Sequence, residues 1–212
     1  MNEFINTIDI LGDDVVIDSI IDRSITEFKD NVLTTIGAYA FYSCTALTSV
    51  ALPNVTTLNG EVFNNCTSLV NIDLPNVTRL AGNSIFQSCT SLKKIRLPEA
   101  LNINSYTFRY CTNLEIIDLP KLTSIAWDIC INCTALKAFI LRNTEVVCSL
   151  TNENCFNSST IGSKKGYIYV PRALVDSYKA ATNWSTFATQ IRALEDYTVD
   201  GTITGELDES KI

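Results

Sequence analysis

Phe63-Asn64-Asn65-Cys66-Thr67-Ser68-Leu69-Val70-Asn71-Ile72-Asp73-Leu74-Pro75 decides the fold, because the same pattern recurs along the chain. Written as Phe-x-x-Cys-Thr-x-Leu-x-x-(Val/Ile/Phe)-x-Leu-Pro, it runs from Phe41 to Pro53, Phe63 to Pro75, Phe86 to Pro98 and Phe108 to Pro120. A decayed copy extends from Cys130 to Arg142. The cysteines that mark it, Cys44, Cys66, Cys89, Cys111 and Cys133, are spaced by 22, 23, 22 and 22 residues. Within the quoted copy Ile72 and Leu74 alternate with Asn71 and Asp73, which is a short strand with one buried face. Proline cannot donate to a ladder, so Pro53, Pro75, Pro98 and Pro120 end each strand at the same height and turn the chain.

Beyond each proline a second stripe follows, with columns Val55, Val77, Ala100, Leu122, Thr144 and Leu58, Leu80, Ile103, Ile125, Val147, apolar at every position but Thr144. A unit of this size cannot bury two stripes alone, whereas stacked units share one continuous core. The expected fold is therefore an α/β solenoid: a right-handed coil with a parallel β-ladder on one face, short turns or helical segments on the other, and helical caps at both ends. Seven rungs are expected near residues 24–28, 47–52, 69–74, 92–97, 114–119, 136–141 and 167–170. At ~4.8 Å per strand they give a body roughly 30 Å long. The extra residue of the third repeat lies around Ala81-Gly82-Asn83, where a glycine-containing turn should absorb it.

The 22–23-residue repeat, with its Phe-x-x-Cys-Thr-x-Leu entry and Leu-x-x-Ile-x-Leu strand, resembles the BspA-type leucine-rich repeat family over residues 32–141, and more loosely over 142–194. The stretch Tyr167-Ile168-Tyr169-Val170-Pro171, continuing through Ala173, Leu174, Tyr178 and Trp184, resembles the C-terminal cap of such proteins in gut bacteria and their tailed phages. The resemblance implies surface or secreted proteins used in adhesion and protein binding. Absence of a signal and of a wall anchor, with few repeats, points to a small phage-encoded or intracellular member.

The domain organisation expected is an N-terminal cap and first strand (1–31), a solenoid (32–166), a last strand with a C-terminal cap (167–194) and an acidic tail (195–212). Phe4, Ile5, Ile8 and Leu11 fit helical spacing, and Val15, Val16, Ile17, Ile20 and Ile21 form a second apolar cluster, so the N-terminal cap reads as helical. Residues 172–182 fit a helix after Pro171, with Trp184, Phe187 and Ile191 sealing the last rung. The tail either closes a small hairpin about Asp200-Gly201 or stays mobile.

Composition narrows the function. The chain has 212 residues and no histidine, which removes Ser-His-Asp and Cys-His catalysis, imidazole metal sites and the commonest proton-transfer group. Its formal charge of −7 sits at the ends, leaving a mildly positive body without the basic stripe that nucleic acid requires. Met1-Asn2-Glu3-Phe4-Ile5 has no basic region followed by an apolar run, and no segment approaches a membrane span. Cytoplasmic synthesis is expected, with a virion or extracellular location reached by another route. Cys130-Ile131-Asn132-Cys133 has CxxC spacing, but Cys133 lies in the thiol column and Cys130 in the phenylalanine column, so both read as buried small hydrophobes. Stacked thiols lie within disulfide range, and distance alone leaves pairing open. No metal, cofactor or catalytic residue is assigned. Asp73 and Asp118, flanking Arg96, read as cross-strand charge pairing.

The non-core positions of the ladder form the candidate protein-binding face: Asn71 and Asp73, Lys94 and Arg96, Ile116 and Asp118, Ile140, Tyr167 and Tyr169. Apolar Ile116, Ile140, Tyr167 and Tyr169 beside charges look like an interface centre with a polar rim, or like strand propensity and cover by the C-terminal segment. The leading function is non-enzymatic protein recognition or adhesion, with a protein partner or further copies of the chain. Alternatives are a tail-associated virion component and an intracellular effector that masks a host protein.

Overall fold

The computed structural model describes residues 22–212 together with the strands Ile8–Leu11 and Asp14–Ile17. Two parallel ladders run along a solenoid. Among the described residues the first has eight rungs: Glu27–Lys29, Ser49–Ala51, Asn71–Asp73, Lys94–Arg96, Ile116–Leu119, Ala138–Leu141, Tyr167–Val170 and Ile191–Ala193. The second carries Asp14–Ile17, Thr35–Ile36, Thr57–Leu58 and Arg79–Leu80, then Asn102–Ile103, Ser124–Ile125 and Ser149–Leu150. Register follows the repeat: Val50 pairs with Ile72, and Ile95 with Ile117 and then Phe139.

The columns legible in the repeat meet in the core. Phe41, Phe63, Phe86 and Phe108 are fully buried and stack with ring centroids 5.1, 5.5 and 5.8 Å apart. The cysteines beside them do more than fill space. The Cys66 thiol donates to the Phe41 carbonyl of the preceding coil at 3.1 Å, and Cys89, Cys111 and Cys133 do the same to Phe63, Phe86 and Phe108. A small apolar body with a weak donor suits a position that faces the core and the backbone of the previous coil together. All eight cysteines are buried free thiols. Burial pushes the Cys44 thiol up to about 11 and those of Cys66 and Cys148 up to about 12. The thiolate is the reactive form, so the native chain at pH 8 is expected to be nearly inert to Ellman's reagent, and eight thiols to react once it is denatured without reductant. Fast reaction of the folded protein, or fewer than eight thiols on unfolding, would contradict this packing.

On the turn side each coil holds two residues at φ between 55° and 63°: Tyr39 and Ser43, Glu61 and Asn65, Ser84 and Ser88, Tyr106 and Tyr110, Asp128 and Asn132. The left-handed conformation costs a non-glycine residue about 1–2 kcal/mol. It is offset because these amides donate to the next coil, as Ser43 does to Asn64, Asn65 to Gln87 and Ser88 to Arg109, all at 2.8 Å.

The third repeat departs from expectation. Its extra residue is accommodated on the turn side, where a side chain on Gly82 would lie 2.4 Å from the Gly60 backbone. Yet both ladders lose their strand pairing at this junction, between Asn71–Asp73 and Lys94–Arg96 and between Arg79–Leu80 and Asn102–Ile103. The core side stays closed through the Phe63–Phe86 stack and the bond from the Phe63 amide to the Ile85 carbonyl at 2.9 Å.

The ends differ from each other. Ile8–Leu11 and Asp14–Ile17 form an antiparallel hairpin, Leu11 opposite Asp14, and the second strand pairs in parallel with Thr35–Ile36. The expected N-terminal helix is therefore corrected over these residues; the remainder of that stretch, including Phe4, Ile5, Ile20 and Ile21, lies outside the described residues. β-Branched Ile8, Ile10, Val15, Val16 and Ile17, interrupted by Gly12-Asp13, favour a hairpin over a helix whose helical spacing was only partial. At the other end a 3-10 turn at Arg172–Leu174 leads into the helix Val175–Ala180. Tyr178 and Trp184 are buried against Cys148: its amide donates to the Tyr178 hydroxyl at 2.9 Å and its carbonyl accepts from the Trp184 indole at 2.6 Å.

Candidate protein-recognition face

The first ladder presents its outward positions as one strip, and its two halves differ. Toward the front, Glu27, Lys29, Asn71, Asp73, Lys94 and Arg96 are exposed. Toward the back, Ile116, Asp118, Ile140 and Tyr169 are buried and Tyr167 is half-buried, which corrects the reading of the whole strip as accessible. The cover is the chain's own tail. Residues Leu194–Tyr197 make a 3-10 turn, and the following segment folds back on itself, with Thr198 bridged to Leu207 and the Val199 amide donating to the Glu206 carbonyl at 2.9 Å. The chain reverses at residues 202–205, where the Gly205 amide donates to the Thr202 carbonyl at 3.2 Å, so the turn lies two residues beyond the expected Asp200-Gly201. Ile116, Ala138, Ile140, Tyr169 and Leu194 form a second apolar cluster, separate from the solenoid core, against which Tyr197, Ile203, Leu207 and Ile212 pack. Tyr169 and Tyr197 meet edge to face at 4.8 Å.

One residue that the strip reading omitted fastens the tail. Arg142 is buried and its Nε donates to the Asp118 carboxylate at 2.9 and 3.2 Å. Its Nη1 donates to the carbonyls of Ile203 at 2.6 Å and Gly205 at 3.0 Å. Arg142 occupies the position that holds Pro53, Pro75, Pro98 and Pro120 in the earlier copies, and this replacement was the available sequence signal. Lys94 pairs with Glu209 at the tail's far end. Arg96 reaches Asp118 at 3.7 Å, while no ion pair joins it to Asp73 among the described residues, because the third and fourth rungs are not paired. The expected charge ladder through Asp73, Arg96 and Asp118 is therefore one-sided.

Cys130 and Cys133 are both buried in the core columns, and no group of three or more metal-ligating side chains occurs among the described residues. No helix of the described residues is long and apolar enough to cross a membrane.

A profile of the BspA type leucine-rich repeat region matches residues 34–162 in six copies. The chain belongs to that family. As a BspA-type repeat protein it resembles in structure a leucine rich cell surface protein from Faecalibacterium prausnitzii A2-165, with TM-score 0.56 and 22% identity over 77% of this chain and 45% of that one. It is also similar to a leucine-rich repeat protein from Eubacterium ventriosum ATCC 27560, with TM-score 0.57 and 20% identity over 69% and 46%. The BspA-type chain spans less than half the length of either structure. No curated protein matches it. These matches give no support to the virion and effector alternatives.

Proposed function

We propose that the chain is a non-enzymatic protein-recognition module, adhesive or accessory at a bacterial surface, which binds its partner through the open front of the first ladder. The observation that carries this reading is the exposed polar strip of Asn71, Asp73 and Arg96, with Lys94 tied to Glu209 of the tail at its edge, on a backbone whose opposite face is packed core. A strip set by stacked coils is preformed, so binding orders little additional chain. Ile116, Ile140, Tyr167 and Tyr169 serve the chain's own tail in this reading rather than a partner. Membership in a family of repeat proteins and likeness to a cell surface protein support the surface setting.

The test reverses the strip's charges in the folded protein. The double variant Asp73→Lys with Arg96→Glu is expected to keep the circular dichroism of the parent with a lowered melting temperature, because Arg96→Glu sets a carboxylate beside the buried Asp118, and to lose at least tenfold in affinity, measured well below that melting temperature, for proteins retained by the immobilised parent from bacterial surface fractions. Equal retention by parent and variant would remove the front strip as the binding face.

A further inference from the structure

The junction between the third and fourth rungs is closed on the core side and open on the ladder face. At neighbouring junctions the amides of Val70 and Asn71 both donate to the Thr48 carbonyl, at 3.0 and 3.1 Å, and those of Glu115 and Ile116 to the Lys93 carbonyl, at 2.8 and 3.2 Å. The repeat predicts equivalent bonds from the amides of Lys93 and Lys94 to the Val70 carbonyl. Neither forms, so two donors and an acceptor stand without a backbone partner inside a ladder that is otherwise paired. Ile72, whose counterparts Val50 and Ile95 are buried, is half-buried here, and Val70 beside it is 46% exposed. A depression of about 370 Å³ lies over Ser49–Ala51 and Val70–Asp73 with Lys93 and Lys94 as its wall. A second of about 290 Å³ continues between Asp73 and Pro75 on one side and Arg96 and Pro98 on the other.

Unpaired strand edges are templates for an added strand, and main-chain bonds then supply affinity while alternate side chains supply selectivity. Apolar surface at Val70 and Ile72 calls for an aliphatic side chain. Lys94 is already paired with Glu209, whereas Lys93 forms no ion pair among the described residues and calls for a carboxylate. We propose that this open junction accepts an extended segment of a protein partner, its backbone meeting the free edge at Val70 and Lys93–Lys94, an aliphatic side chain on Ile72 and an acidic one toward Lys93. The proposal rests on the front strip being a recognition face and names the class of segment it takes. The extra residue of the third repeat is what holds the junction open.

The probe is a fluorescein-labelled, capped hexapeptide Glu-Val-Glu-Val-Glu-Val, titrated with the full chain and read by fluorescence anisotropy. Saturable binding is expected. It should weaken about tenfold in Lys93→Glu, a change at an exposed side chain, and more than tenfold when alternate peptide amides are N-methylated. Deleting Asn83, which restores 22-residue spacing, should restore ladder pairing, protect the Lys93 and Lys94 amides from hydrogen exchange and abolish binding. Absence of saturable binding to the parent overturns the proposal. So does binding that neither N-methylation nor Lys93→Glu weakens, or a folded Asn83 deletion that binds as the parent does. None of these results touches the strip reading, which the Asp73→Lys, Arg96→Glu pair tests separately.

Discussion

Arg142→Ala is expected to destabilise the folded chain by about 3 kcal/mol and to free residues 198–212 from the ladder, because removing one member of a buried pair leaves the Asp118 charge with only the exposed Arg96 at 3.7 Å. Asp118 is 7% exposed, and Arg142 is its nearest cation, so the carboxylate would have to hydrate by lifting the tail. The carbonyls of Ile203 and Gly205 lose their donor in the same step. Urea unfolding measures the loss. Changing both partners, Asp118→Leu with Arg142→Met, removes the stranded charge and should recover most of it, since apolar replacement of a whole buried pair is commonly neutral or better. A single variant within about 1 kcal/mol of the parent would mean that apolar packing alone holds the tail.

Phe86→Ala should cost about 3–5 kcal/mol, the usual price of a cavity where a buried aromatic stood. Its second consequence is particular to this molecule. Phe86 stacks on Phe63 across the junction whose ladder bonds are missing, and on Phe108 across a paired one. Solenoid stability is approximately a sum of coil and nearest-neighbour terms, so weakening the least bonded interface should uncouple the front coils from the rest. Chemical unfolding of Phe86→Ala is expected to show two transitions. Phe108→Ala, which opens a cavity beside a bonded ladder, should be destabilised comparably while keeping one. A single transition in both would show that the open junction is no weaker than its neighbours.

The contrast between these residues explains what could be read in advance. Cys66, Phe63 and Pro75 belong to columns, and a column announces itself because every coil solves the same packing problem with the same side chain. The parallel register, the buried thiols and the Phe stack followed from that repetition. Features that occur once do not announce themselves. The tail's seat on Ile116, Ile140 and Tyr169 is a contact between distant segments, and only Arg142 in a proline column marked it. The spacing of 23 between Cys66 and Cys89 was visible, but whether the added residue strains the turn or parts the ladder depends on Gly82 meeting Gly60. Left-handed Tyr39, Glu61 and Tyr106 were hidden because no glycine flags them. Ile8–Leu11 shows the limit of short apolar runs, which fit a helical stripe and a strand almost equally well.

Residue-resolved amide hydrogen exchange on the full chain reports most directly on whether the tail closes the back of the ladder and leaves the front free. The amides of Val199 and Asp208, which donate to Glu206 and Tyr197 within the tail, should be protected in the parent and lose that protection in Arg142→Ala, while the Phe63 and Phe108 amides of the coil stack stay protected in both. Rapid exchange at Val199 and Asp208 in the parent chain would contradict a docked tail, and with it the division of the ladder into an occupied back and an open front.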